Sequence, residues 1–179
     1  MSDQVVYICT VTGAENGLPD LVLPISSFQS RRRSGTDSYL KVTSPSLELY
    51  DAAAARPDGD VVVTLAHLVN GTVIPQGEVA RVNFGDLGFS KEANAQTVTL
   101  SGTKQVTYAS PKAVAPTSAT SLSLSGGKWR AGIAIPDISI NPGDTVTVGS
   151  ASFVAGLITT SVSIDSNGNV RSTMGLSEA

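Results

Sequence analysis

Asn141-Pro142-Gly143-Asp144-Thr145-Val146-Thr147-Val148 decides how the chain is read. Proline and glycine inside the first four residues set the backbone angles of a tight turn. Val146 and Val148 then fall at period two, the spacing of one face of a strand. The alternation continues through Phe153, Ala155 and Leu157, then Val162 and Ile164, and finally Val170, Met174 and Leu176, with Asp165-Ser166-Asn167-Gly168-Asn169 between the last two runs. The segment predicts an antiparallel meander rich in small polar residues and poor in reactive ones. Chemistry is scarce here, so shape and assembly become the natural places to look for a role.

Working back from that block, the same period-two pattern recurs. Val5–Thr12 reads as a strand, Leu21–Ile25 as an extended run with an edge position or strand end at Pro24, which cannot donate to a ladder, and Ser38–Thr43 as a further strand. Asp60–Val69 is the strongest strand of the chain, and Asn70-Gly71 after it is the dipeptide of a type I′ hairpin turn leading into Thr72-Val73-Ile74. Glu78–Phe84, Gln96–Gly102, Leu122–Leu124 and Trp129–Ile135 continue the series, with Val106–Tyr108 as an extension. Only Ser44-Pro45 followed by Leu47, Leu49, Tyr50 and Ala54 suits a helix, capped by Ser44 and ending before Pro57.

The expected class is therefore all-β, with antiparallel meanders forming one or two small barrels or sandwiches and one short helix near residues 46-55. Ala109–Ala119, with Pro111 and Pro116 among small residues, reads as a linker. It divides the chain into an N-terminal β subdomain at 1-110 and a C-terminal meander at 119-179, unless the two form one continuous unit.

Composition removes several functional classes. A formal net charge of -3 offers no basic field for a phosphate backbone, so nucleic acid is not an expected partner. Cys9 is the single cysteine, which excludes an intrachain disulfide, and it lies in the apolar run Val5-Val6-Tyr7-Ile8 as a buried small side chain. No leader and no membrane-length apolar stretch is read, so synthesis in a cytoplasm without a membrane span is expected.

Candidate chemistry fares no better. His67 is the single histidine and sits on a strand face with Val61, Val63, Leu65 and Val69; with Cys9 it cannot assemble a His/Cys zinc site. Asp165–Asn169 alternates oxygen ligands but lacks the closing glutamate of a calcium loop, and reads better as a hairpin turn. Ser125-Gly126-Gly127-Lys128 falls short of a phosphate loop, and no Gly-x-Ser-x-Gly elbow is present. No enzymatic activity, metal or cofactor is expected. Arg31-Arg32-Arg33 reads as a solvated run, or else as a salt-sensitive contact with an acidic partner, and Trp129 as a core anchor or a subunit hot spot.

Several phrases also resemble a known group of proteins. They are Thr12-Gly13-Ala14, Gly17-Leu18-Pro19-Asp20-Leu21, Leu23-Pro24-Ile25-Ser26-Ser27-Phe28-Gln29, Ser38-Tyr39-Leu40, Tyr50-Asp51-Ala52-Ala53, Ala55-Arg56-Pro57-Asp58-Gly59-Asp60 and Pro142-Gly143-Asp144-Thr145-Val146. Together they resemble small tail-tip or baseplate proteins of long-tailed, siphovirus-like bacteriophages, and the last block is similar to barrel domains of phage tail hub proteins. That resemblance implies a multimeric virion structural protein around the tail axis, in contact with distal tail, hub, fibre or receptor-binding proteins, and carries no active-site residues. Phe28, Arg31, Arg32, Arg33, Tyr39 and Trp129 are the candidate subunit-interface residues. The competing expectation is a receptor- or carbohydrate-binding β-sandwich, which would expose Tyr39, Tyr50 or Trp129 as a platform.

Overall fold

The computed structural model describes residues 4–92 and 95–179. In chain order the elements are β1 (Gln4–Val11), β2 (Leu21–Leu23), β3 (Ser27–Arg33), β4 (Asp37–Ser44), α1 (Tyr50–Ala54), β5 (Asp60–Val69), β6 (Thr72–Glu92), β7 (Ala95–Gln105), β8 (Ala113–Val114), β9 (Ala119–Ser125), β10 (Lys128–Ile133), β11 (Thr145–Val148), β12 (Ala151–Ile164) and β13 (Val170–Glu178). The class is all-β with one short helical stretch, as the alternation requires. Two compact units emerge: Met1–Phe28, Tyr39–Lys104 and Ser163–Val170 make the first, and Gln29–Ser38, Gln105–Val162 and Arg171–Ala179 the second. Each unit thus draws on distant parts of the chain. Ala109–Ala119, read from sequence as a linker, lies inside the second unit and contributes β8.

In the first unit the strand order is β2-β1-β5-β6-β7-β4. β1 pairs antiparallel with β5 from Gln4↔Leu68 to Val11↔Val61, which sets Cys9 opposite Val63 and, on its other flank, Leu23. Burying these β-branched and aliphatic side chains is what holds the ladder in register, because a slip of one residue would turn them all outward. β5 and β6 are joined by Asn70 (φ 51°) and Gly71 (φ 79°), the positive angles of the expected type I′ turn.

β6 departs from the expected short runs. It extends over 21 residues through Pro75 and Gly77, pairing with β5 as far as Asn83 and with β7 from Asn83 onward. The register shifts between Val63/Thr64 and between Leu65/Ala66, and these irregularities let the strand pass a proline that cannot donate. The helical stretch also starts later than its signal. Leu47–Leu49 forms a 3-10 turn running into α1, Ser46 stands at the cap without a side-chain bond, and Ser44 Oγ accepts from Ser46 N at 3.4 Å. The helix end is tied down by the buried Arg56, whose Nε and Nη2 donate to Pro19 O at 3.1 and 2.7 Å and whose Nη1 donates to Ala52 O.

A charged network joins β5, β6 and β7. Asp60 accepts from Arg81 Nη1 at 2.8 Å and from Lys104 Nζ at 3.0 and 3.1 Å, while Arg81 also pairs with Glu78. Partial burial alone would push the Asp60 carboxyl up, but the hydrogen bonds from Arg81 and Lys104 outweigh it and hold the group below the usual carboxylate range. The Arg81 hydrogen bond does the same for Glu78. A carboxylate depressed in the folded state stabilises at pH values above its unfolded pKa, and that contribution disappears as pH falls through the folded value. Thermal unfolding followed from pH 7 to pH 3 should lose on the order of 1 kcal/mol through this network, a figure kept small by solvent screening. Asp60→Asn should remove that part of the acid sensitivity, and an unchanged acid profile in the variant would refute the assignment.

In the second unit the order is β3-β12-β13-β10-β9, with β11 pairing antiparallel to β12 and parallel to β8. Its core contains Ile133, Ile140, Val146, Phe153, Ile158, Met174 and Leu176. Asn141–Asp144 forms the expected turn: Asp144 N donates to Asn141 O at 3.1 Å and Gly143 has φ 99°, as a type II turn requires after proline. One expectation shifts along β12. Phe153 and Ala155 point inward, but beyond Gly156-Leu157 the buried set becomes Ile158, Thr160 and Val162, so Leu157 and Ile164 are not among the buried residues. Two successive half-buried positions at Gly156 and Leu157 exchange the faces of the strand.

Candidate functional site

The six sequence-nominated interface residues occupy different environments. Phe28 is buried in the core, edge-on to Tyr7 with ring centroids 5.2 Å apart. Arg31 and Arg33 share the exposed face of β3, whereas alternation turns Arg32 inward, where it is buried. Burial draws the Arg32 guanidinium below the usual arginine range, and electrostatic interactions with Tyr108 and with the Asp137 and Asp144 carboxylates oppose that pull. Tyr39 and Trp129 are half-buried. Of the set, only the adjacent Arg31 and Arg33 are presented together on an open surface.

Trp129 matters because of its neighbour. It packs against the core of the second unit and lies directly across from Leu124, which is 58% exposed. Leu122 sits across from Ala131 on the same face and also packs on that core. One flank of β9 is paired with β10 through Lys128↔Ser125, and Gly126 and Gly127 supply the left-handed hairpin turn between them. β9 ends the strand order, so its other flank has no strand partner among the described residues. Its 7 residues, Ala-Thr-Ser-Leu-Ser-Leu-Ser, contain no charge and no proline.

Protein sheets normally guard such an edge with lysine, proline or a very short strand. β2, at the opposite end of the first unit's order, has that protection, being 3 residues long and followed at once by Pro24. β9 offers instead a neutral row of backbone donors and acceptors beside the apolar pair Leu124 and Trp129. The sequence signal for it was available in the absence of charge, but Leu122 and Leu124 alternate as core residues do and concealed it.

The groups with reactive potential serve structure. Cys9 is fully buried and burial pushes its thiol up to about 12, which keeps it protonated and unreactive at neutral pH. Asp165 Oδ1 accepts from Asn167 N and Asn169 N, each at 2.9 Å, and Asp165 Oδ2 accepts from Asn169 Nδ2 at 2.8 Å; the carboxylate organises its own hairpin turn. No cluster of three His, Cys, Asp or Glu side chains placed to hold a metal occurs among the described residues. Nor, among them, is any helix long and apolar enough to cross a membrane. A cavity of about 310 Å³ in the second unit is lined by Ser34, Gln105, Tyr108, Pro111 and Gly143 among others, and the Tyr108 hydroxyl is already engaged with Ser38 Oγ at 2.7 Å.

No family model and no curated protein matches the sequence. Solved structures do. A tail protein from Neisseria meningitidis MC58 is similar over 97% of this chain and 96% of its own, with a TM-score of 0.52 at 7% identity. An Escherichia coli component of the type VI secretion system, described as structurally similar to the T4 bacteriophage tail proteins gp27 and gp5, is similar over 94% of this chain and 75% of its own, with a TM-score of 0.54 at 8% identity. Identities this low report backbone architecture and nothing finer. The chain shares the fold of these two proteins.

Proposed function

We propose that the protein is a structural subunit of a phage tail tip or baseplate, present in several copies around the tail axis and linking the distal tail or hub to receptor-binding parts. The carrying observation is the unguarded edge of β9, a neutral strand with Leu124 and Trp129 beside it, in a chain that shares its fold with a tail protein along nearly its whole length. A strand supplied by a neighbouring subunit would satisfy the open backbone groups and cover both side chains, which is how sheets extend across protein contacts. Arg31 and Arg33 offer two further charges to an acidic neighbour, while the interior Arg32 does not. On this reading the protein is not an enzyme, and its place is the virion.

Leu124→Lys tests the reading, because position 124 is open enough to accept lysine without disturbing the core and a lysine on an edge strand opposes pairing. In purified particles analysed by mass spectrometry the wild-type chain should be present, and the variant should be depleted at least about tenfold, a loss of about 1.4 kcal/mol in assembly, with an unchanged unfolding midpoint. Absence of the wild-type chain from particles would sink the proposal. Normal incorporation of Leu124→Lys would remove β9 from it.

A further inference from the structure

A second surface in the first unit has chemistry that a subunit contact does not explain. Phe89 on β6 is 58% exposed although Val98, its cross-strand partner on β7, is fully buried. Its ring meets Tyr50, the first residue of α1, edge-on with centroids 5.3 Å apart and planes at 84°. Lys91 Nζ stands 6.0 Å from the Phe89 centroid. Leu47, Tyr50, Asp51, Phe89 and Lys91 line a depression of about 220 Å³, open to solvent on the side of Asp51, Phe89 and Lys91. Two aromatic rings are therefore held at right angles, with the Asp51 carboxylate beside them and the Lys91 ammonium over one face of the Phe89 ring.

We propose that this depression is a carbohydrate-binding subsite taking a single pyranose ring. A sugar has an apolar face of C–H groups and a rim of hydroxyls, and both find a counterpart here. The exposed Phe89 ring supplies a stacking surface whose quadrupole attracts the weakly positive C–H groups, and its T-shaped contact with Tyr50 holds its orientation. Asp51 accepts hydrogen bonds from hydroxyls, and Lys91 donates to their oxygens. The centre of a protein–protein contact is depleted in lysine and aspartate, whereas a small-ligand site combines an apolar wall with a few polar groups of this kind. The site is independent of β9 and of the tail assignment, so either can fail without the other.

The test uses the full chain and a panel of glucose, galactose, mannose and N-acetylglucosamine, titrated into the protein while the aromatic proton and carbon resonances of Phe89 and Tyr50 are followed. At least one sugar should shift both rings saturably with a midpoint in the millimolar range. Phe89→Ala should abolish the shifts of Tyr50, and Phe89→Leu, which keeps apolar bulk but lacks the ring face, should do the same if alanine disturbs the fold. Asp51→Asn should weaken binding several-fold. No shift with any of the four sugars overturns the proposal, as does binding retained in Phe89→Leu. Ring shifts produced by a tail protein but by no sugar would also overturn it, making the surface a protein contact instead.

Discussion

Replacing Asp144 with alanine should cost about 3 to 5 kcal/mol of folding stability, because its carboxylate is the hub of the turn that begins the closing meander. Asp144 is 1% exposed. Its Oδ1 accepts from Lys112 N at 3.0 Å and its Oδ2 from Asn141 N at 2.8 Å, so one buried side chain satisfies two part-buried backbone donors from separate segments. Its own backbone completes the frame: Asp144 O accepts from Ala155 N at 2.9 Å, and Gly143 N donates to Ala155 O at 2.7 Å. Alanine leaves Lys112 N and Asn141 N without partners and removes one of the negative charges that offset buried Arg32. Each loss is expensive where water does not enter. Asp144→Asn should fall between the two, since its amide keeps one acceptor oxygen and turns an NH₂ toward the other backbone N–H. Urea unfolding followed by Trp129 fluorescence, which reports on the second unit, measures both. A loss below about 1 kcal/mol for alanine would mean that Pro142 and Gly143 hold the turn unaided.

Asp144 also shows where sequence reading reaches and where it stops. Asn141-Pro142-Gly143-Asp144 was legible as a turn because proline and glycine act on their own backbone angles, and the same holds for Asn70-Gly71. That the aspartate also accepts from Lys112 was not legible, since the donor lies 32 residues away. Arg32 repeats the lesson. Three arginines in a row suggested a solvated run, yet strand alternation had to turn either the middle one or its two neighbours inward. The carboxylates that offset its charge, Asp137 and Asp144, stand far along the chain.

The open edge of β9 was hidden for the opposite reason. Alternating leucines look alike in a central and a terminal strand, and only the strand order distinguishes them. The Phe89 surface was missed because the expected strand ended at Phe84, which left Phe89 in no element; β6 in fact runs on to Glu92 and carries it. Tyr50 had been a candidate platform residue; its partner became visible only when β6 proved long enough to carry Phe89 to α1.

That length depends on a backbone approach that one added methyl group would destroy. Gly102→Ala should cost on the order of 3 kcal/mol, the upper part of the range for overpacking, and should be the most damaging single methyl group in the first unit. A Cβ built on Gly102 would lie 1.8 Å from Asn83 O, with Asn83 C at 3.0 Å and Val82 Cγ2 at 3.1 Å. The obstructing atoms at the closest approach are backbone, so no rotamer change relieves the clash. Asn83 is the residue at which β6 passes from pairing with β5 to pairing with β7, and the register shifts just beyond it between Phe84 and Asp86, where Gly102 sits across from Phe84. A strand handing over between two partners bends, and the absent side chain at 102 leaves room for the bend. Gly88, on the facing strand β6, has by contrast nothing within 4 Å of a Cβ and no left-handed backbone, so Gly88→Ala should change stability by less than about 0.5 kcal/mol. Measuring the pair by urea unfolding separates a steric requirement from a general intolerance of alanine in β6 and β7. Equal effects at 102 and 88 would refute the close approach; a large loss at 102 alone, with amide exchange quickened along β7, would establish it.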